Sequence, residues 1–331
     1  MRRLHFFEIF PIVNLVAIAL IARNTLTISP AAMLIAFTAG LLPYALAGVF
    51  VRVAIAAIRR DHAYFYIVRN RAWIGETLRL VVFTAVMIFT YGWIKLAVPL
   101  LHPRLFDQQL WDLDRALFFG LSPNIFFLDL FRAQAVLRVV DWTYANVFFV
   151  SIVVALGYFF SHPSSRVRVA FANGNAAMWL SGAWLYVLVP SLGPAFRFPD
   201  LWFPYEAVLH HTQMLQTLLM RNYQDVLRAI AGREPAETIR IVFGIAAFPS
   251  LHVAFQTYVF FWMRRLWTSG EVLFGLFAAT ILLGSIITGW HYLIDGLAGI
   301  VLAWACYAVT SRASRMKRWF QLFSSVDARA R

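Results

Sequence analysis

Eight apolar runs, each of a length that crosses a lipid bilayer as a helix, leave this chain little choice of architecture. They fall near residues 6–27, 30–58, 80–101, 142–161, 174–193, 247–267, 271–290 and 291–311. A hydrocarbon core of about 30 Å takes about 20 helical residues. A helix is also the form that pairs every backbone N–H and C=O within one segment. Charged residues make up only 14% of the chain and hydrophobic ones 61%, against about 25% charged in soluble domains. The expectation is an all-α, polytopic membrane bundle of about eight transmembrane helices.

The net charge of +13 points to the bilayer and away from nucleic acid, because the basic residues cluster between alternate apolar runs. Arg59, Arg60, Arg69, Arg71 and Arg79 form one group, Arg166 and Arg168 the next, then Arg264 and Arg265, then the tail from Arg312. Assigning these to the cytoplasm puts both termini inside. The near-absence of lysine suggests a bacterial genome, hence an inner membrane with the other face periplasmic. Arg52 and Lys95, inside apolar runs, are expected to snorkel or face the bundle. The lone Cys306 allows no intrachain disulfide.

Two outer segments, 102–141 and 194–246, are expected on the membrane surface. In the first, Asp107, Asp112 and Asp114 alternate with Leu110, Trp111 and Leu113, as in an interfacial helix with a solvated acidic face. The second reads as a helix over 205–231 that covers the helix mouths, with Gly232 and Pro235 as its stop. His210 and His211 on it are read as surface residues.

Two histidines then stand out. His252 follows Phe248-Pro249-Ser250-Leu251, and His291 opens His291-Tyr292-Leu293-Ile294-Asp295. Their spacing is one crossing and one return, so both rings end on the same face. If the last helix has begun by His291, Asp295 shares its side. The carboxylate then keeps one ring nitrogen protonated while the other is a nucleophile. An acid at that depth costs about 2.5 kcal/mol or more unless paired. Pro249 suits a first helical turn, and the N–H groups of Ser250, Leu251 and His252 would cradle an anion. His252 would protonate the departing oxygen.

Pro249, Ser250, His252, His291 and Asp295 resemble the type 2 phosphatidic acid phosphatase superfamily, whose pattern is Lys-x6-Arg-Pro, Pro-Ser-Gly-His and Ser-Arg-x5-His-x3-Asp. The resemblance implies a six-helix core with a phosphohistidine intermediate: His291 as nucleophile, Asp295 its orienter, His252 the general acid. Leu251 stands for the family's glycine and Ser285 for its third-motif arginine, so the phosphate-binding cation that the resemblance calls for is expected to be Arg197, with Arg240 in reserve. The first motif is degenerate in Ser191-Leu192-Gly193-Pro194-Ala195-Phe196-Arg197-Phe198-Pro199. Phe-Pro-Ser-Leu-His and His-Tyr-x-x-Asp are most similar to the inositol phosphorylceramide synthase (aureobasidin-resistance) branch, which favours head-group transfer over hydrolysis.

The expected organisation is two accessory helices and a basic loop over 1–79, a phosphatase or phosphotransferase core over 80–311, and a basic tail over 312–331. The substrate would be a membrane phospholipid, or a polyprenyl or sphingolipid-like molecule, and no metal or organic cofactor is implied. The rivals are a non-covalent lipid carrier, which would show paired related halves, and a metal-dependent membrane hydrolase, which needs a third ligand beside the histidines.

Overall fold

A computed structural model describes residues 4–22, 29–60, 62–232 and 244–327, with side chains through 312. The described residues are helical without strands. In chain order the helices are α1 (Phe6–Ala22), α2 (Pro30–Ile58), α3 (His62–Arg69), α4 (Arg71–Leu101), α5 (Asp107–Leu117), α6 (Pro123–Leu130) and α7 (Gln134–Trp142). They continue as α8 (Phe148–Phe160), α9 (Ser165–Leu188), α10 (Pro194–Arg197), α11 (His210–Ile230), α12 (Leu251–Leu266), α13 (Glu271–Ile287) and α14 (Leu293–Asp327).

Each of the eight apolar runs has its helix, and the chain is an all-α polytopic bundle. Among the described residues, five stretches are long and apolar enough to span a membrane: 30–58, 71–101, 134–160, 268–287 and 293–312. The helices outside that group are the informative ones. Helix α12 is short, and α9 carries Asn173, Asn175, Trp179 and Trp184 in place of continuous aliphatic residues. Both pack against α14, and α9 also against α4. Helices enclosed by others need less lipid-facing apolar surface than those on the rim.

Helices α1 and α2 are not loosely appended: α1 packs on α4 and α9, and α2 on α4 and α8. A half-buried ion pair, Glu8 with Arg79, ties α1 to α4. Arg52 faces the bundle, donating from Nε to Ser161 Oγ at 2.9 Å. At one end of the bundle, Gly299 of α14 lies against the start of α12. A Cβ there would come within 2.4 Å of the Ser250 carbonyl oxygen, so the absence of a side chain lets the two helix starts meet.

The outer segments lie where the histidines are. Helix α11 is amphipathic and sets Leu215, Leu219, Met220 and Tyr223 against Trp290 and Phe196. It begins at His210 rather than 205, because Pro199–Leu201 and Phe203–Tyr205 form 3₁₀ turns before it. Its first N–H groups, those of His211 and Thr212, donate to the buried Asp141 carboxylate at 2.9 and 2.8 Å.

Candidate active site

His252 sits in the first turn of α12 because Ser250 caps that helix, its Oγ accepting from the Val253 N–H at 3.4 Å. Pro249 therefore precedes the helix, after a cis peptide bond, and does not occupy its first turn as the sequence suggested. The anion cradle also needs correcting: the Ser250 N–H donates to the Asp295 carbonyl oxygen at 2.9 Å, which leaves Leu251 and His252 at the open turn. The Leu251 side chain points away, into the core against Gly182 of α9.

His291 lies in the turn between α13 and α14, not on α14, which begins two residues later. Asp295 still reaches it by bending back over the helix start. Its Oδ2 accepts from the Tyr292 N–H at 2.9 Å, the backward bond of a capping box, and lies 3.4 Å from His291 Nδ1. The Ala247 carbonyl oxygen is nearer that nitrogen, at 3.0 Å. Both neighbours are acceptors, so Nδ1 carries the proton and Nε2 keeps a lone pair. Asp295 is fully buried and its Oδ1 has no hydrogen-bond partner.

The two imidazoles meet edge to face. His252 Nδ1 stands 3.2 Å from His291 Nε2 and 3.0 Å from the Tyr144 hydroxyl. Since Nε2 is a bare acceptor, the contact between the rings is a hydrogen bond when His252 Nδ1 holds the proton. Burial first, and the Lys95 charge second, push the His291 imidazole down to about 3, so this ring is neutral near pH 7.

Lys95, on α4, is the cation whose charge acts on both histidines. Its ammonium lies 5.4 Å from the centre of the Tyr186 ring and 5.9 Å from that of Tyr91. Arg197 is at the exposed rim, 5.5 Å from the Phe198 ring centre, with its charge acting on Asp107 and Tyr292. Arg240 lies outside the described residues. Ser285 supplies no cation substitute: its hydroxyl donates to the Leu282 carbonyl, and its own carbonyl accepts from the Trp290 and His291 N–H groups.

The acids of α5 are the largest departure from expectation. Asp112 is exposed, but Asp107 and Asp114 are 1% exposed each, because they lie seven residues apart on the inward face with Leu110. Asp107 accepts from the N–H groups of Leu192 and Gly193 and from the Tyr292 hydroxyl. Gly193 adopts φ +105°, and a Cβ there would lie 2.4 Å from the Trp290 carbonyl oxygen. Asp114 accepts from Leu293 and Ile294 N–H at 2.6 and 2.8 Å, capping α14 beside His291. Asn124, wholly buried, donates to the Ile286 and His291 carbonyls. These three side chains hold the His291 turn rigid, as a reactive group requires.

Burial raises the Asp114 carboxyl to about 6 from the usual 3.8. The folded protein then binds that proton more tightly than the unfolded chain does. The stabilisation is complete below about pH 4 and shrinks as pH rises through 6. Asp114→Asn is expected to remove this slope from thermal midpoints measured between pH 4 and 7. Asp114→Ala, which strips the cap, is expected to cost about 1–3 kcal/mol.

A helical membrane bundle with two histidines meeting at the mouths of its helices, one backed by a carboxylate and both within the influence of a lysine charge, belongs to the class of membrane phosphatases and phosphotransferases. The sequence profile of the PAP2 superfamily matches residues 108–309, well over half of the chain, and the chain belongs to that superfamily. No curated protein and no solved structure matches it. The matched region starts after Lys95. That lysine had a sequence signal nonetheless: Lys95-x6-His102-Pro103 follows the family's Lys-x6-Arg-Pro spacing with histidine for arginine.

Proposed function

We propose that the protein transfers a phosphoryl-bearing head group from a membrane lipid through a phosphohistidine at His291. The observation that carries this reading is the pairing of a neutral His291, pinned at Nδ1 by a carbonyl, with a second imidazole one hydrogen bond from its Nε2. The Nε2 lone pair attacks phosphorus, the bond from phosphorus to the donor's oxygen breaks, and His252 gives that oxygen its proton. His252 next takes a proton from the acceptor hydroxyl, whose oxygen attacks phosphorus and restores His291. Asp295 steadies the imidazolium that develops. Lys95 offsets the charge on the phosphoryl oxygens, and Arg197 at the rim meets the incoming head group.

Transfer to a lipid hydroxyl is favoured over hydrolysis. Leu251 and Ser285 depart from the phosphatase pattern, and α11 packs Leu215, Leu219 and Tyr223 into one apolar cluster with Trp290, next to His291, a cover that would hinder water more than a lipid hydroxyl. The sequence of the two histidine motifs supports the inositol phosphorylceramide synthase branch. We place the site on the periplasmic face of a bacterial inner membrane, with both termini cytoplasmic, on the distribution of arginines. Residues 80–311 form the catalytic core in this reading, and 1–79 and 312–331 are accessory. The test is a reconstituted assay that follows phosphate release and lipid head-group exchange together. Exchange well above release supports transfer; release alone assigns a phosphatase; neither activity overturns the reading.

Tyr144 has a part in this cycle. It sits in a π-helical segment, Thr143–Val147, between α7 and α8, a distortion common at functional sites. The 3.2 Å between the rings leaves no room for a phosphoryl group, so His252 moves aside when the donor enters, and the Tyr144 hydroxyl is its other partner. Tyr144→Phe is expected to lower turnover about tenfold, near the energy of one lost hydrogen bond, and to displace the limb of the pH profile governed by His252. An unchanged profile argues against the role.

A further inference from the structure

Helix α5 has three faces where a helix lying on a membrane surface needs two. Asp107, Leu110 and Asp114 are buried, and Gln108, Asp112 and Arg115 form an exposed polar stripe. Leu113 and Leu117 make a third, apolar stripe, 43% and 50% exposed. Residues three or four apart share a side of a helix, so each set is one face. The turn that follows, Leu117-Phe118-Phe119-Gly120-Leu121, carries no charge. At its tip Phe119 is 97% exposed and has φ +55°, a backbone conformation that bulky residues rarely adopt. Among the described residues nothing covers that ring, and water is a poor environment for it.

The packing of α6 shows what lies on that side of the molecule. Its inner face joins Phe127 and Leu128 to Leu283 and Ile287 of α13 and to Leu137 and Val140 of α7 in one apolar cluster. Those α13 and α7 residues lie at the outer ends of 268–287 and 134–160, two of the stretches long and apolar enough to span a membrane. Helix α6 is therefore level with the last turns of two spans and does not stand above them. Its outward side chains, Phe126 and Leu130, are exposed as Val139 and Trp142 of α7 are. Phe118, in the turn, meets Phe126 edge to face with ring centres 5.3 Å apart. An open hollow of about 420 Å³ beside them is walled by Leu121, Ile125, Phe126 and Leu130, with Ser122 and Asp129. The apolar side of the turn is thus continuous with the lipid-facing surface of the spans, at the level where aromatic rings are favoured in membranes.

We propose that the turn between α5 and α6 is a wedge inserted in the lipid leaflet on the side of the histidines. Phe119, with Leu117 and Leu121, sits below the head groups, while Gln108, Asp112 and Arg115 stay in water, the arrangement of an interfacial element with one apolar and one polar edge. The partner of this surface is the bilayer, and the proposal is independent of the catalytic reading.

The test uses the full-length protein with its single native cysteine removed as Cys306→Ala. A spin label is attached through Phe119→Cys or, separately, Asp112→Cys, and each protein is reconstituted in vesicles of phosphatidylcholine and phosphatidylglycerol. Both positions are exposed, and circular dichroism checks that helix content is unchanged. Paramagnetic resonance then reads collisions of the label with oxygen, which concentrates in hydrocarbon, and with a water-soluble nickel chelate. The ratio of oxygen to nickel collisions is expected to be about fivefold or more higher at 119 than at 112, without dipolar broadening. A smaller difference leaves the tip in water and overturns the proposal. Broadening at 119 that disappears on dilution with unlabelled protein also overturns it, because a second copy of the chain then covers the face.

Discussion

His291→Ala is expected to abolish turnover, with a loss of about 10⁴-fold or more, the scale seen when a covalent nucleophile is removed. No other side chain in the cluster can replace it: the His252 nitrogen that faces the phosphoryl site is needed as acid and base, and the Tyr144 hydroxyl has, among the described residues, that same histidine as its hydrogen-bond partner. The fold should survive, because the turn is held through backbone groups. The His291 N–H donates to the Ser285 carbonyl, and its carbonyl accepts from Asn124. A donor labelled at phosphorus, quenched in alkali, should leave an acid-labile label on the native protein and none on the variant. Unchanged turnover, or a label that persists in His291→Ala, would sink the covalent mechanism, and a non-covalent carrier would label neither protein.

The apolar runs announced the bundle because bilayer thickness fixes helix length and a spanning backbone has no alternative to the helix. The distance between His252 and His291 along the chain announced their convergence for the same reason. Less legible was everything that depends on docking. Asp107 and Asp114 read as a wet face because a short helix with three acids has the same pattern whether its polar side meets water or bare N–H groups of a distant loop and helix start. Their partners, Leu192, Gly193, Leu293 and Ile294, lie far along the chain. The periodicity did carry a clue, since Asp107, Leu110 and Asp114 share a stripe and Asp112 does not. Helix α4 hid Lys95 in another way. It is apolar on all sides, so no hydrophobic face shows where its lysine points, and a lysine in such a run commonly snorkels. The start of α14 was placed two residues early because Asp295 at a fourth-residue spacing mimics a helical pair, whereas it acts as a backward cap.

Lys95→Met is expected to cut kcat/KM by about 10²–10³-fold, the usual cost of losing a preorganised group aimed at charge that builds up in the transition state, while Arg197→Ala costs less than tenfold. The ranking rests on where the charges stand. The Lys95 charge acts on both rings from within the bundle, where low dielectric leaves it strong. Arg197 is exposed beside Phe198, where solvent screens it. Methionine keeps the unbranched length against Tyr91 and Tyr186, so the variant tests charge and not packing. The split between constants is informative: loss mainly in kcat places the ammonium on the transition state, and loss confined to KM places it on the bound donor. If Arg197→Ala proves the more damaging, the phosphoryl group binds towards the rim, with its oxygens turned away from α4.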